Sequence, residues 1–350
     1  MLKLLLVDYL SPNGHENFNA IHINALLKLG HSITAIGKKG QFDGVNNNPN
    51  FSTMYLPSWC NRPIKILPNI FCRIQAIFTL IYIMNKYKQK YDYSILLCYD
   101  ILSCFFYRPK TKVVLINHNN VSQFSSKIKL WMTLHLPANY IHVTLNQEMK
   151  KRMEELNPYK KCCYVPHGVV QVSTDCKKPL YVGKDEQYLF CPVNRNIDVK
   201  LMANIISSEY VDDYLKSNKI KLFIKKFSDI IRASENIFVI DSFLEKAEYD
   251  YLIKNALAVI LPYSTSFQYR CSGIMFESIA YQTPIIASDI PDLTCFDNDC
   301  NISFFSDENS FVEAVNISFK MNNIIELEIF NPMPYWKDIL NDKNSEYEYS

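Results

Sequence analysis

The chain has 350 residues, 48% hydrophobic and 21% charged, with a net charge of +2 at neutral pH. That length exceeds what one hydrophobic core usually spans, so two globular domains are expected. The near-balanced charge gives no reason to expect a nucleic-acid partner.

The apolar run Leu2–Val7 is broken by Lys3 and closes at Asp8. It is too short for a secretory core, and it predicts a strand buried on both faces. Ser11-Pro12-Asn13-Gly14 is a turn cluster, and Ile21, Ala25, Leu26 and Leu29 recur at helical spacing. Gly30 ends that helix as a left-handed residue would, and Ser32–Gly37 is a second strand. Strand, helix, glycine and strand make a βαβ crossover. Phe51–Leu56 predicts a strand and Ile70–Tyr87 a long helix. Tyr93–Cys98, Lys112–Asn117 and Tyr140–Leu145 predict further strands, followed by a charged helix over Gln147–Leu156 and a short strand over Cys163–Pro166.

The stretch Ala76–Met84 is the most membrane-like, but a span takes about 20 apolar residues. It reads first as a helix buried in an α/β domain. The alternative is a helix resting on an inner leaflet, with Lys86, Lys88 and Lys90 supplying charge.

Periodicity weakens over Lys177–Asp185, where the domain boundary is placed. A second series follows, with strands over Tyr188–Val193, Ile220–Ile224, Ile237–Ile240, Ala258–Leu261 and Pro284–Ala287. Helices lie between them, notably Lys246–Ala256 and Ile274–Tyr281. Domains are therefore expected at 1–176 and 177–332, with 333–350 forming a last helix and a polar tail. Eleven scattered cysteines, without C-x-x-C spacing, suit buried free thiols of a reducing cytosol. No His/Cys cluster has ligand spacing, so no metal is expected.

The segment from Leu261 to Asp289 carries the strongest signal for chemistry. A buried strand ends at Leu261, a polar loop follows, and a helix starts at Ser272-Gly273-Ile274. A helix start offers unpaired N–H groups and partial positive charge, an anion site. Gly273 lets backbone approach a phosphate, Arg270 offers a bidentate donor, and Glu277, one turn inside, can accept from a ribose diol. Read as structure alone, Ser272 is simply an N-cap.

These residues resemble the retaining GT-B glycosyltransferases of the large family 4 (group 1) type. The resemblance rests on Phe276-Glu277-Ser278-Ile279-Ala280-Tyr281-Gln282-Thr283-Pro284-Ile285-Ile286-Ala287-Ser288-Asp289, on Leu29-Gly30-His31-Ser32-Ile33, and on Val165-Pro166-His167-Gly168-Val169. It implies α/β architecture of two Rossmann-like, doubly wound domains facing a cleft. The second domain would hold a nucleoside diphosphate sugar, and the segment Pro334–Leu340 would return to the first. The family's Glu-x7-Glu pattern places its first Glu at position 269, which here is Tyr269, so the transferred sugar is left open.

The family sets an arginine and a lysine against the donor diphosphate. Arg195 and Lys200 follow the first strand of the second domain at suitable places, with Lys225 and Lys226 as rivals for the lysine. Two cations can stabilise a leaving diphosphate without a metal, and no cofactor is expected. His118, at the end of Lys112–Asn117, resembles the family's histidine near the sugar hydroxymethyl group. Asn13 and Gly14 match the family's Gly-rich first turn in part. No G-x-S-x-G, G-x-G-x-x-G or P-loop pattern occurs.

The expectation is a cytoplasmic glycosyltransferase in cell-surface polysaccharide synthesis. Its acceptor would be a glycan or lipid-linked, with peripheral contact to the inner membrane face. A nucleotide-sugar epimerase and a silent nucleotide-sugar or glycan binder are the alternatives.

Overall fold

The computed structural model describes the chain except for residues 11–14, 62–67, 88–89, 159, 194, 229–233, 322 and 342–350. Two compact units separate. The first is Met1–Gly168 together with Tyr269–Cys271 and the segment from Phe330; the second is Val169–Gln268 with Ser272–Ile329.

The first unit runs β1 (Lys3–Asp8), α1 (Glu16–Lys28), β2 (Ser32–Gly37), β3 (Phe51–Tyr55), α2 (Pro68–Lys86), β4 (Tyr93–Cys98), α3 (Ile101–Phe106), β5 (Lys112–Asn117), α4 (Lys127–Leu134), β6 (Tyr140–Thr144), α5 (Gln147–Leu156) and β7 (Cys162–Tyr164). Its parallel sheet has the order β3-β2-β1-β4-β5-β6-β7. Successive side chains of a strand face opposite ways. Leu4 and Leu6 accordingly join Ile23 and Leu26 of α1 and Met149 of α5, while Leu5 and Val7 join Leu80 and Ile83 of α2 and Cys104 of α3. Burial on both faces is why β1 reads as an unbroken apolar run. Gly30 closes α1 at φ +82°, its N–H bonding the Leu27 carbonyl at 2.9 Å.

Helix α2 departs from the buried helix expected of it. Ala76, Leu80, Ile83 and Met84 are buried, but Phe78 on the opposite side is 61% exposed and Ile74 and Tyr82 are exposed too. Continuous hydrophobicity hid this division, because both faces are apolar. No helix among the described residues is long and apolar enough to cross a membrane.

The second unit runs β8 (Gln187–Cys191), α6 (Val199–Ser207), α7 (Glu209–Asn218), β9 (Ile220–Lys225), β10 (Ile237–Ile240), α8 (Lys246–Asn255), β11 (Ala258–Leu261), α9 (Gly273–Ala280), β12 (Ile285–Ser288), α10 (Pro291–Thr294), β13 (Ile302–Phe305) and α11 (Glu308–Ser318). Its parallel sheet has the order β10-β9-β8-β11-β12-β13. The last helix, α12 (Met333–Asn341), belongs to the first unit. All eleven cysteines are free, but only Cys60, Cys104 and Cys191 are buried; Cys72 is exposed.

Candidate functional site

In each sheet the strand order reverses direction at one place: between β1 and β4 in the first unit, between β8 and β11 in the second. Open α/β sheets bind ligands beyond the C-terminal strand ends at such reversals. The segment singled out in the sequence, after β11, lies at the second unit's reversal, as does the loop after β8 that carries Arg195.

Backbone bonds sew these two loops together. Asp198 donates its N–H to the Pro262 carbonyl at 2.7 Å, Ser264 donates to Asn196 at 2.9 Å, and Ile197 bridges Tyr263. Asp198 caps α6 by accepting from Leu201 N–H at 3.0 Å. Arg195 is exposed on this loop, and Lys200 is exposed at the second position of α6. A lysine at a helix start opposes the macrodipole, which the Asp198 carboxylate at the cap offsets in part. Lys225 and Lys226 are engaged elsewhere: Lys225 donates to the Ser242 carbonyl, and Lys226 pairs with Asp241 at 3.1 Å.

The start of α9 combines an N-cap with an open approach. Ser272 is buried; its Oγ accepts from Met275 N–H at 3.2 Å and bonds the Tyr263 hydroxyl at 2.8 Å. Its side chain is thus committed to the cap. That leaves the N–H groups of Gly273 and Ile274 without a protein acceptor among the described residues. A Cβ on Gly273 would meet nothing within 4 Å, so packing does not demand glycine there.

Glu277 lies one turn further in. Its Oε2 accepts from the Tyr249 hydroxyl of α8 at 2.8 Å. Burial raises the Glu277 carboxyl above its ordinary range; the Tyr249 hydrogen bond and the Lys246 charge oppose that, and Asp250 adds to it. Tyr249 was not legible as a partner of Glu277, because the two sit 28 positions apart on different helices. Arg270 and Tyr269 belong to the first unit. The Arg270 carbonyl accepts from Asn146 Nδ2 at 3.1 Å, and Tyr269 adopts φ 54° with its ring 5.8 Å from the Arg152 guanidinium.

In the first unit His118 directly follows β5, at the C-terminal end of the sheet. Its Nε2 lies 2.9 Å from the Leu97 carbonyl. A carbonyl only accepts, so Nε2 carries the proton and Nδ1 is the acceptor in the neutral ring. Burial, reinforced by the nearby His15 and His167, holds its pKa well below that of a free histidine. His118 packs 4.4 Å from the Phe18 ring and 4.6 Å from His15. His15 Nδ1 is 3.8 Å from Oδ2 of Asp8, a buried carboxylate that also accepts from Asn19 at 3.0 Å. Sequence reading missed this grouping, in which Phe18 also touches His22 and His167. The available signal was a charged residue closing the apolar strand β1. Asn13 and Gly14 lie outside the described residues. Among those residues no group of three His, Cys, Asp or Glu side chains could hold a metal.

No protein-family profile and no curated protein matches the chain. Solved structures do. Sucrose-phosphate synthase from Thermosynechococcus elongatus is similar over 98% of this chain and 96% of its own, at 12% identity and a TM-score of 0.62. UDP-GlcNAc 2-epimerase from Methanocaldococcus jannaschii is similar over 97% and 99%, at 14% identity and 0.58. The lipopolysaccharide outer core galactosyltransferase WaaB is similar over 97% and 96%, at 14% identity and 0.54. Across such distances the likeness speaks for architecture: two parallel-sheet α/β domains of the GT-B fold.

Proposed function

We propose that the protein is a glycosyltransferase that moves a sugar from a nucleoside diphosphate sugar to a glycan or lipid-linked acceptor, with retention of configuration, in cell-surface polysaccharide synthesis. The carrying observation is the start of α9, where two N–H groups lack acceptors among the described residues, a glycine opens onto free space and Glu277 stands one turn away. Arg195 and Lys200, on the loop and helix after the adjacent strand, add two cations at the same sheet end. The GT-B neighbours include a galactosyltransferase, which supports the reading.

In this reading the diphosphate sits on the Gly273 and Ile274 amides, Arg195 and Lys200 stabilise its growing charge, and Glu277 takes the ribose diol. The acceptor hydroxyl attacks on the face the diphosphate leaves, and its proton passes to the departing phosphate oxygen. His118 accepts from a sugar hydroxyl at Nδ1. Catalysis rests on positioning and charge, so no metal is required.

A second reading, a nucleotide-sugar epimerase, is favoured by the UDP-GlcNAc 2-epimerase among the neighbours. Incubation with a panel of nucleotide sugars separates them. Slow release of one nucleoside diphosphate, faster with acceptor glycans, is expected. Epimerised sugar with no acceptor dependence supports the epimerase, and binding without turnover across the panel supports a silent binder. Glu277→Ala should weaken donor binding at least about tenfold with the fold intact; unchanged affinity by calorimetry removes Glu277 from the site.

A further inference from the structure

Charge is distributed very unevenly along this chain. Residues 44–146 carry eleven Lys and Arg against two Asp, a net +9; the other residues carry 26 against 33. Both aspartates are occupied with backbone: Asp92 accepts from Lys3 N–H at 2.7 Å, and Asp100 caps α3 by accepting from Ser103 N–H at 3.1 Å.

Of these cations, Arg73 and Lys86 lie on α2, Arg108 follows α3 and Lys127 starts α4. Helices α2, α3 and α4 cover the same face of the sheet, with α3 packed against both neighbours. Their outer sides are apolar. Ile70 (56%), Phe78 (61%), Phe106 (58%), Ile128 (68%) and Trp131 (50%) are all exposed. Rings join α3 to α4, with Phe105 5.3 Å from Trp131 and 5.6 Å from Phe106. Cations stand among them: Lys86 is 5.4 Å from the Tyr82 ring, and Arg108 is 5.7 Å from Phe105. Arg73 and Lys127 are exposed as well. Among the described residues none of these four cations makes an ion pair.

We infer that the outer face of α2, α3 and α4 docks on an anionic lipid bilayer. The apolar and aromatic side chains enter the headgroup boundary while the surrounding cations meet lipid phosphates. A second copy of this chain would set like charge against like. Nucleic acid would match the cations but leave Ile70 and Ile128 without a partner. Docking of this kind is independent of sugar transfer, so either conclusion can fail without the other.

Flotation of the full chain with phosphatidylcholine vesicles, with and without phosphatidylglycerol, tests it. The protein should float only with the anionic vesicles, and raised salt should release it. Lys86→Gln with Lys127→Gln should lower partitioning by about fivefold per lysine. Phe78→Ser with Trp131→Ser should abolish it while leaving the melting temperature and soluble-donor hydrolysis unchanged. Failure to float with phosphatidylglycerol overturns the inference, as does equal flotation of both double variants. A self-associated form that Phe78→Ser with Trp131→Ser dissolves would overturn it too, by assigning the face to a second copy.

Discussion

Trp336 donates its indole N–H to Nδ1 of His22 at 3.0 Å, joining α12 to α1 across 314 positions. The bond fixes the histidine tautomer, because Nδ1 must be bare to accept. The proton is then on Nε2, which lies 3.2 Å from the His167 carbonyl. Both nitrogens serve the neutral ring, and burial pushes its pKa down to about 3. His142, buried in β6, is likewise held at about 3 by burial and by Lys160.

Acid should therefore destabilise the first unit. The unfolded chain takes up these protons near pH 6.5 and the folded chain only near pH 3. The stabilisation is complete above about pH 6.5 and is lost as pH falls toward 3, by up to about 1.4 kcal/mol per pH unit for each histidine. Urea midpoints at pH 7 and pH 5 measure it; equal midpoints would contradict the neutral-ring account.

Trp336→Phe keeps an aromatic ring, though a smaller one, and removes the donor. Leaving Nδ1 of His22 buried and unpaired should cost about 1–3 kcal/mol in urea unfolding, against about 3–5 kcal/mol for Trp336→Ala. A negligible loss in Trp336→Phe beside a large loss in Trp336→Ala would mean that ring packing alone holds α12 down.

Two glycines should respond oppositely to alanine. Gly168 adopts φ +82° and its Cβ would lie 2.4 Å from Ile21 Cγ2, so Gly168→Ala should destabilise by about 1–3 kcal/mol. Gly273 has open space, so Gly273→Ala should leave stability unchanged or raise it by up to about 1 kcal/mol. If a diphosphate rests on that backbone, the same change should weaken donor binding about tenfold or more. Thermal melts read the first effect and calorimetry the second; undiminished affinity in Gly273→Ala would place the donor elsewhere.

Tyr249→Phe removes a hydrogen bond that holds the Glu277 pKa down. The carboxyl should then titrate at still higher pH. Donor binding, which needs the carboxylate, should be lost at higher pH in the variant than in the wild type. Glu277→Gln should remove that pH dependence. Coincident binding–pH curves for the wild type and Tyr249→Phe would separate Tyr249 from the site.

Arg195→Ala should act on turnover. Removing a cation that meets charge developing in the transition state lowers kcat by about a hundredfold with little change in KM. Normal turnover would take Arg195 out of the diphosphate site.

Most of the architecture was legible, because strands buried on both faces announce themselves. The predicted limits of Ser32–Gly37, Tyr93–Cys98, Lys112–Asn117, Ile237–Ile240 and Ala258–Leu261 are those observed. Strand β13 escaped notice because Ser303 interrupts its short apolar run; that serine is buried, its hydroxyl donating to the Ala314 carbonyl at 3.0 Å. Helix α4 was missed because Ile128, Trp131 and Leu134 leave its exposed side apolar, the reverse of an ordinary surface helix.

At the candidate site, the cap and helix start could be read locally from Ser272-Gly273. The commitment of Ser272 Oγ to Met275 and Tyr263 could not, nor could the bond from Tyr249 to Glu277. The grouping of His15 with His118 also escaped, since it joins loops after β1 and β5 that approach only through sheet order. Pairings of this kind are set by topology, and spacing along the chain carries no trace of them.

The seam between the β8 and β11 loops bears on the thermodynamics of occupancy. Their backbones are tied at 2.7 and 2.9 Å, whereas the Arg195 side chain extends outward with no protein partner among the described residues. Immobilising such a guanidinium on a ligand forfeits about 1.5–2 kcal/mol of rotamer freedom. The Gly273 and Ile274 amides lie at the start of an already formed helix and surrender almost none. If the proposed donor binds here, the two halves of its anion cradle differ in kind: one is rigid before it arrives, and the other becomes ordered only on contact, trading favourable heat for lost entropy.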